Sequence, residues 1–354
     1  MARLHELLRR SREQGASDLH LATGLAARFR LHGALEPIPG QPELSADGLS
    51  SLLRELVSPA QWREYVETGD LDFALAVPGV ARFRANYLKQ EKGPSAVFRT
   101  IPETIATLED LHLPPVLGRL AELRSGLVLV TGPTGSGKST TLAAVIDRIN
   151  RTQSKHIVTI EEPVEFLHTN QRSHFSQREV GTDTASFAMA LRAAIRQDAD
   201  VILVGEMRDL ETIALALRAA EMGALVFGTL HTNSAAKTID RLIDVFPADE
   251  QSQARLSLSE SLSAIVAQLL IAKSDGSGRV AVHEILLKTA ALPNLIRESN
   301  LPMLQNLMQS GKKDGMQILD DALADLVEKK LITPRDAYLK AQDKTRFEAL
   351  LDKE

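Results

Sequence analysis

The chain contains no cysteine, which excludes disulfides and any thiolate-ligated zinc site and fits a reducing cytoplasm. Aromatic residues are scarce: one tryptophan, three tyrosines and ten phenylalanines in 354 residues. With a net charge of −5 and no basic stripe, this argues against a channel that stacks bases and neutralises phosphates along a single strand. Long hydrophobic runs are missing as well. The stretch AIVAQLLIA, 264–272, falls far short of the ~20 apolar residues that span a bilayer, and is expected to form one face of a buried helix. The opening MARLHELLRRSREQG is basic but has no continuous apolar core, so it does not read as a secretory signal. Internal repeats and low-complexity tracts are absent. The remaining composition is that of an ordinary globular protein, long enough for two or three domains.

The most informative stretch is GLVLVTGPTGSGKSTTLAAVIDRI, 126–149. An apolar run from Leu127 to Val130 turns through Gly132, Pro133, Thr134, Gly135, Ser136 and Gly137 into Lys138, Ser139 and Thr140, and an amphipathic helix follows. This is the Gly-x4-Gly-Lys-Ser phosphate loop in its strand-then-helix setting. The glycines let backbone N–H groups converge on an anion, and the new helix adds its positive end. Lys138 can reach the β- and γ-phosphates, and the Ser139 hydroxyl is placed to ligate Mg²⁺. A Gly-rich turn without a ligand is the bland alternative, and both flanks weigh against it.

Residues 1–100 mix short alternating runs with helical spacing, as in ARFRAN and SSLLRELV, and predict an α+β domain. Ser45 or Asp47 could cap the first helix of its central pair. Prolines at 102, 114 and 115 punctuate the segment 101–123, which reads as a linker over 101–113 followed by a helix. From 114 to 288 apolar strands alternate with amphipathic helices, which predicts a mostly parallel sheet covered on both faces. Strands are expected at 156–162, 201–206, 224–232 and 279–287, with helices from 232 to about 271. Residues 289–354 read as helices broken at Pro302, Gly311 and Pro334.

In an open parallel sheet the chemistry gathers at the carboxyl ends of strands. Glu206 ends one strand and suits a role in holding Mg²⁺ or its water shell, against the alternative of a solvated acid. Glu161, Glu162 and Glu165 crowd three carboxylates into five residues, a repulsion that a cation or a water-activating role would explain, against the alternative of a solvated acidic turn. His231 could contact the γ-phosphate end, or could be a satisfied polar residue. In the first domain Arg82 and Arg84 share a strand face and Arg99 follows on another strand. These arginines could supply charge in trans to a neighbouring subunit, or could simply be solvated.

These motifs together resemble the PilT-type ATPases, the retraction motors of bacterial type IV pili within the secretion-ATPase superfamily. ASDLHL and DFALAVPGVARFRAN are similar to that family's N-terminal PAS-like domain, GPTGSGKSTT to its Walker A loop and TIEEPVEF to its Asp box. The combination of GEMRD with GTLHT is similar to its Walker B and His boxes. The resemblance implies a RecA-like P-loop core, a PAS-like first domain and a helical C-terminal region. It implies ATP and Mg²⁺ as cofactors, with Ser139, Glu206 and Glu162 on the metal side. Glu165 then polarises the attacking water with Glu161 second, and Glu206 is the atypical Walker B glutamate. His231 matches the His-box residue, and Arg82, Arg84 and Arg99 complete an adjacent subunit's site in a homohexamer. The implied partners are an inner-membrane PilC-type platform protein and, indirectly, pilin. Neither nucleic acid nor membrane insertion is expected, and the location is the cytoplasmic face of the inner membrane.

The chain departs from the family in three places. Glu162 replaces the usual aspartate of the Asp box. Pro293 replaces an arginine in the late motif, at a position where only the first turn of a helix would accept it. The tail after Asp336 matches no family pattern. An accessory PilU-type or related secretion ATPase is the alternative reading, and a RecA-like nucleic-acid translocase is the remote one. The absence of a tetracysteine module and of an extra N-terminal domain favours retraction over extension.

Overall fold

A computed structural model describes residues 3–31, 33–101 and 104–351, so Pro102 of the expected linker lies outside the described residues. The chain forms two compact units. The first runs to Thr104 and includes Pro163–Leu167; the second comprises Ile105–Glu162 and His168 onward.

In the first unit, helix α1 (Arg3–Glu13) precedes strands β1 (Asp18–Ala22), β2 (Arg28–Leu31) and β3 (Ala34–Pro37). Helices α2 (Ala46–Arg54) and α3 (Pro59–Thr68) follow, then β4 (Asp70–Val77), β5 (Ala81–Gln90) and β6 (Gly93–Ile101). The six strands form an antiparallel sheet in the order β3-β2-β1-β6-β5-β4. Strand β5 shows why. Phe83, Ala85 and Tyr87 are buried while Arg82, Arg84 and Asn86 point the other way, the period of two that a half-covered strand imposes. Leu4, Leu7 and Leu8 of α1, Leu49, Leu52 and Leu53 of α2 and Tyr65 of α3 share the apolar core with that face. Tyr87 is its centre, meeting Phe73, Phe98 and Tyr65 edge-on at centroid distances of 5.1, 5.9 and 5.9 Å and donating its hydroxyl to the Leu53 carbonyl at 3.1 Å. Of the two cap candidates, Ser45 caps α2 by accepting from the Gly48 N–H. A Ser58–Gln61 capping box with Pro59 in the first turn starts α3.

In the second unit, α4 (Val116–Leu120) leads to β7 (Gly126–Thr131) and α5 (Lys138–Thr152). Strands β8 (His156–Glu161) and β9 (His174–Glu179) precede α6 (Phe187–Ala194), β10 (Val201–Val204), α7 (Leu210–Glu221) and β11 (Leu225–Leu230). Next come α8 (Ala235–Asp244), α9 (Gln251–Ser261), β12 (Leu262–Ala272) and β13 (Arg279–Leu287). The sheet order is β13-β12-β7-β11-β10-β8-β9, parallel except for the β12–β13 pair. Strands β7, β10 and β11 are buried at every residue, as expected of a sheet covered on both faces.

The expectation of helices to about 271 is corrected here: helix ends at Ser261, and AIVAQLLIA is strand β12, paired with β7 on one side and β13 on the other. A strand buried on both faces carries no polar alternation, so its apolar run has no period to separate it from a buried helix. Strand β9 also went unread, because HFSQRE is polar and only partly buried.

The later helices α10 (Leu292–Arg297), α11 (Leu304–Ser310), α12 (Leu319–Glu328), α13 (Pro334–Lys340) and α14 (Thr345–Leu351) belong to the second unit. Pro293 sits in the first turn of α10, where a missing N–H costs nothing. From α12 onward the helices build a separate small core with Ile271 of β12 and Val282 of β13, closed by Leu323 and Phe347. Among the described residues no helix is long and apolar enough to cross a membrane.

Candidate nucleotide-binding site

Strand β7 delivers the loop. Its ladder continues to Gly132, whose N–H donates to the Leu230 carbonyl at 3.2 Å. Gly132, Gly135 and Gly137 then take φ of +143°, +77° and +86°, values that strain any L side chain. Space excludes one at 132 as well, since a β-carbon there would lie 2.2 Å from the Gln268 carbonyl oxygen. Gly137 caps α5 without a side-chain hydrogen bond, so the first-turn N–H groups and the helix's positive end are left for a ligand.

Pro133, Thr134 and Gly135 are exposed at the crest of the loop, while Ser139 and Thr140 are partly exposed on the first turn of α5. Lys138 is buried, and its ammonium donates to the Gly132 and Pro133 carbonyls at 2.8 and 3.1 Å. The Ser136 hydroxyl is buried and has no hydrogen-bond partner among the described residues, the kind of donor that a phosphate oxygen would satisfy.

Strand β10 ends in Gly205-Glu206. The Arg208 guanidinium grips both oxygens of Glu206, with Nη2 at 2.6 Å from Oε2 and Nε on Oε1, and His231 Nε2 lies 3.0 Å from Oε1. Burial pushes the Glu206 carboxyl up, but the hydrogen bond and charge of Arg208, joined by His231, hold it below the ordinary glutamate value. Glu206 therefore stays ionised at neutral pH. The same contact pushes Arg208 up, with Glu162 adding to it. Neighbouring packing fixes this corner. Met207 is buried with its sulfur where a β-carbon on Gly228 would be, at 2.3 Å, so β11 needs glycine there. Asp209 caps α7, accepting from the Thr212 N–H at 2.8 Å.

The acidic triplet is divided. Glu161 closes β8 and accepts from Gln177 of β9 at 3.4 Å, and exposed Glu162 follows it in the second unit. Glu165 belongs to Pro163–Leu167, which groups with the first unit. Among the described residues no three His, Cys, Asp or Glu side chains form a metal cage. Mg²⁺ carried in on phosphates needs only one or two protein oxygens, and Ser139, Glu206 and Glu162 are donors of that class.

In the first unit the arginines lie on one sheet face. Arg84 of β5 stands directly opposite Arg99 of β6, and Arg99 opposite Asp18 of β1, which in turn pairs across to Arg30 of β2. Asp18 accepts from Arg99 Nε at 2.9 Å, and Arg84 Nε is 3.9 Å from Asp72. Two like charges facing each other across a ladder are unfavourable, and the aspartates offset this only in part. Arg82 lies two residues from Arg84 on the same face.

Residues 2–334 match the family described as type II/IV secretion system protein. The chain belongs to that family. Within it, the chain is 51% identical over 342 residues to the type IV pilus retraction ATPase PilT of Pseudomonas aeruginosa, covering 97% of this chain and 99% of that protein. It is 49% identical to a twitching motility protein of Neisseria gonorrhoeae, covering 95% and 90%. Its fold matches a crystal structure of the pilus retraction motor PilT with bound ADP at a TM-score of 0.90 and 45% identity, over 97% of this chain and 98% of that one. These whole-length matches bear out the α/β secretion-ATPase fold expected from the motifs.

Two residues of this secretion ATPase's site escaped the sequence reading. Arg208 was visible inside GEMRD, but only the folded loop turns it back on Glu206. Gln268 lies behind the phosphate loop, donating to the Ser136 carbonyl at 2.7 Å and accepting from the Thr141 hydroxyl at 2.8 Å. Its signal was one amide in the middle of an apolar run.

Proposed function

We propose that the chain is the subunit of a homohexameric motor that hydrolyses ATP to retract a type IV pilus. The observation that carries this reading is the end-to-end correspondence with the Pseudomonas retraction ATPase, in a chain whose phosphate loop is complete. In this reading the loop N–H groups and Lys138 hold the β- and γ-phosphates, and Ser139 takes the Mg²⁺ that accompanies them. Glu206 and Glu162 order the metal's water shell, and His231 stands by the γ-phosphate end. Glu165, with Glu161 second, orients water for in-line attack. Arg82, Arg84 and Arg99 of a neighbouring subunit spread the developing charge. The resulting motion acts on a platform protein in the inner membrane and lets pilin leave the fibre, with the motor itself at the cytoplasmic face.

The test is Lys138→Ala. ATP turnover by the purified protein is expected to fall about 10²-fold or more, and a deletion strain carrying the variant is expected not to twitch. Undiminished turnover overturns the reading. Native mass measurement is expected to give six copies, and a stable monomer at working concentration would remove the trans arginines from the mechanism.

A further inference from the structure

A phosphate loop binds anions only if its peptide planes are turned so that their N–H groups converge, yet no sheet ladder holds those planes. In this chain the loop's own backbone bonds are few: Ser136 N–H to the Pro133 carbonyl at 3.2 Å, and Thr141 N–H to the Gly137 carbonyl at 3.0 Å. The Lys138 ammonium holds the Gly132 and Pro133 carbonyls, and further support for the loop comes from β12. Gln268 is buried, and its amide makes three contacts. Its Nε2 donates to the Ser136 carbonyl at 2.7 Å, while its Oε1 accepts from the Thr141 hydroxyl at 2.8 Å and lies 3.3 Å from His283 Nε2. Because Ser136 offers only an acceptor, the amide can be oriented in one way. His283 of β13 then carries its proton on Nε2, and burial keeps that imidazole neutral, pushed down to about 4.

We propose that Gln268 is a positioning residue for nucleotide binding, a clamp that presets the phosphate loop from the neighbouring strand. In a trans peptide the carbonyl and the following N–H point in opposite directions. Holding the Ser136 carbonyl against β12 therefore turns the Gly137 N–H the other way, toward the ligand side of the loop. The same amide grips Thr141, one turn into α5, so the spacing between the loop crest and the helix start is set by one rigid group. The Gln268 backbone completes the fit at Gly132, where a β-carbon would lie 2.2 Å from its carbonyl oxygen, while one on Gly137 would lie 2.9 Å from its side-chain Nε2. His283 acts through Gln268 by occupying the second lone pair of Oε1. Preorganisation of this kind lowers the cost of binding, because the loop pays no ordering entropy when phosphate arrives.

This inference rests on the reading that the loop binds nucleotide phosphate, and the experiment separates the two. ADP affinity and the KM for ATP are measured on the full-length protein for Gln268→Met, which keeps the side chain's length, and for Thr141→Val, which removes one hydroxyl. The melting temperature without nucleotide is recorded for each, and Lys138→Ala serves as the control. Gln268→Met is expected to weaken ADP binding and raise KM together by about tenfold, from the loss of the two hydrogen bonds to Ser136 and Thr141. Thr141→Val is expected to give a smaller loss in the same direction, and the double variant to be no worse than Gln268→Met alone. A lowered melting temperature with wild-type ADP affinity would make Gln268 a mere core residue and overturn the clamp. If Gln268→Met does not fold, unchanged affinity in Thr141→Val overturns it equally. If Lys138→Ala binds ADP as the parent does, the nucleotide reading itself fails, whatever the Gln268 variants show.

Discussion

The two sheets place their charged groups by opposite rules. In the first unit, charge lies on a face: Arg82, Arg84 and Arg99 alternate with buried residues along β5 and β6. In the second unit the inner strands are buried on both sides, so charge can appear only where they end, as at Glu161, Glu206 and His231. An antiparallel sheet can afford a solvated face, whereas a parallel sheet wrapped by helices cannot. The difference teaches where to look for chemistry in each: along a strand in one, just past its last residue in the other.

Substitutions can break this contrast, beginning with the largest effect on stability. Leu129 of β7 is fully buried between Gly228 of β11 and Ile265 of β12, so Leu129→Ala is expected to cost about 2–5 kcal/mol by denaturant titration. A loss below about 1 kcal/mol would mean that the second sheet is not closed on both faces.

The next prediction concerns pH. An unfolded chain's histidine takes a proton near 6.5, whereas burial holds His283 off to about 4. Between those values acid favours the unfolded chain, so this contribution is complete above pH 6.5 and is lost as pH falls toward 4. The loss amounts to about 3 kcal/mol, and it should flatten in His283→Asn, whose baseline stability is lower. An identical slope in parent and variant between pH 6.5 and 4 would contradict it.

Smaller effects belong to the strand ends and the open face. Asp209→Ala removes the cap of α7 and is expected to cost about 1 kcal/mol, read as a drop in denaturation midpoint at constant slope. Arg84→Ala, on the solvated face of the first sheet, is expected to shift stability by less than about 0.5 kcal/mol while lowering ATP turnover about 10³-fold or more. Loss of stability with turnover intact would return that arginine to an ordinary structural role.

Legibility followed the same division. Strand β5 could be read from ARFRANYL because half its residues touch water and half do not. Strand β12 could not, because a run apolar on every side has no period and suits a buried helix face equally well. The loop from Gly132 to Ser139 was legible in full, since its glycines and lysine are required by local backbone geometry and local reach. Glu206 and His231 were legible as strand ends, but their contact with each other was not, since it joins the ends of two strands distant in sequence. The acidic triplet shows the limit most plainly. Five residues hold all three carboxylates, yet Glu161 and Glu162 go to one unit and Glu165 to the other.

Composition and spacing alone therefore determined the ligand-binding loop and the two kinds of sheet, because each depends on neighbours a few residues apart; the family followed from the resemblance of whole motifs and the matches along the chain. Tertiary structure alone decided that a glutamine in an apolar run backs the phosphate loop and that His231 meets Glu206. It also decided which unit takes Glu165. Those outcomes depend on which strands lie side by side, and strand order in a crossed parallel sheet is set by packing of the whole unit rather than by any local stretch of chain.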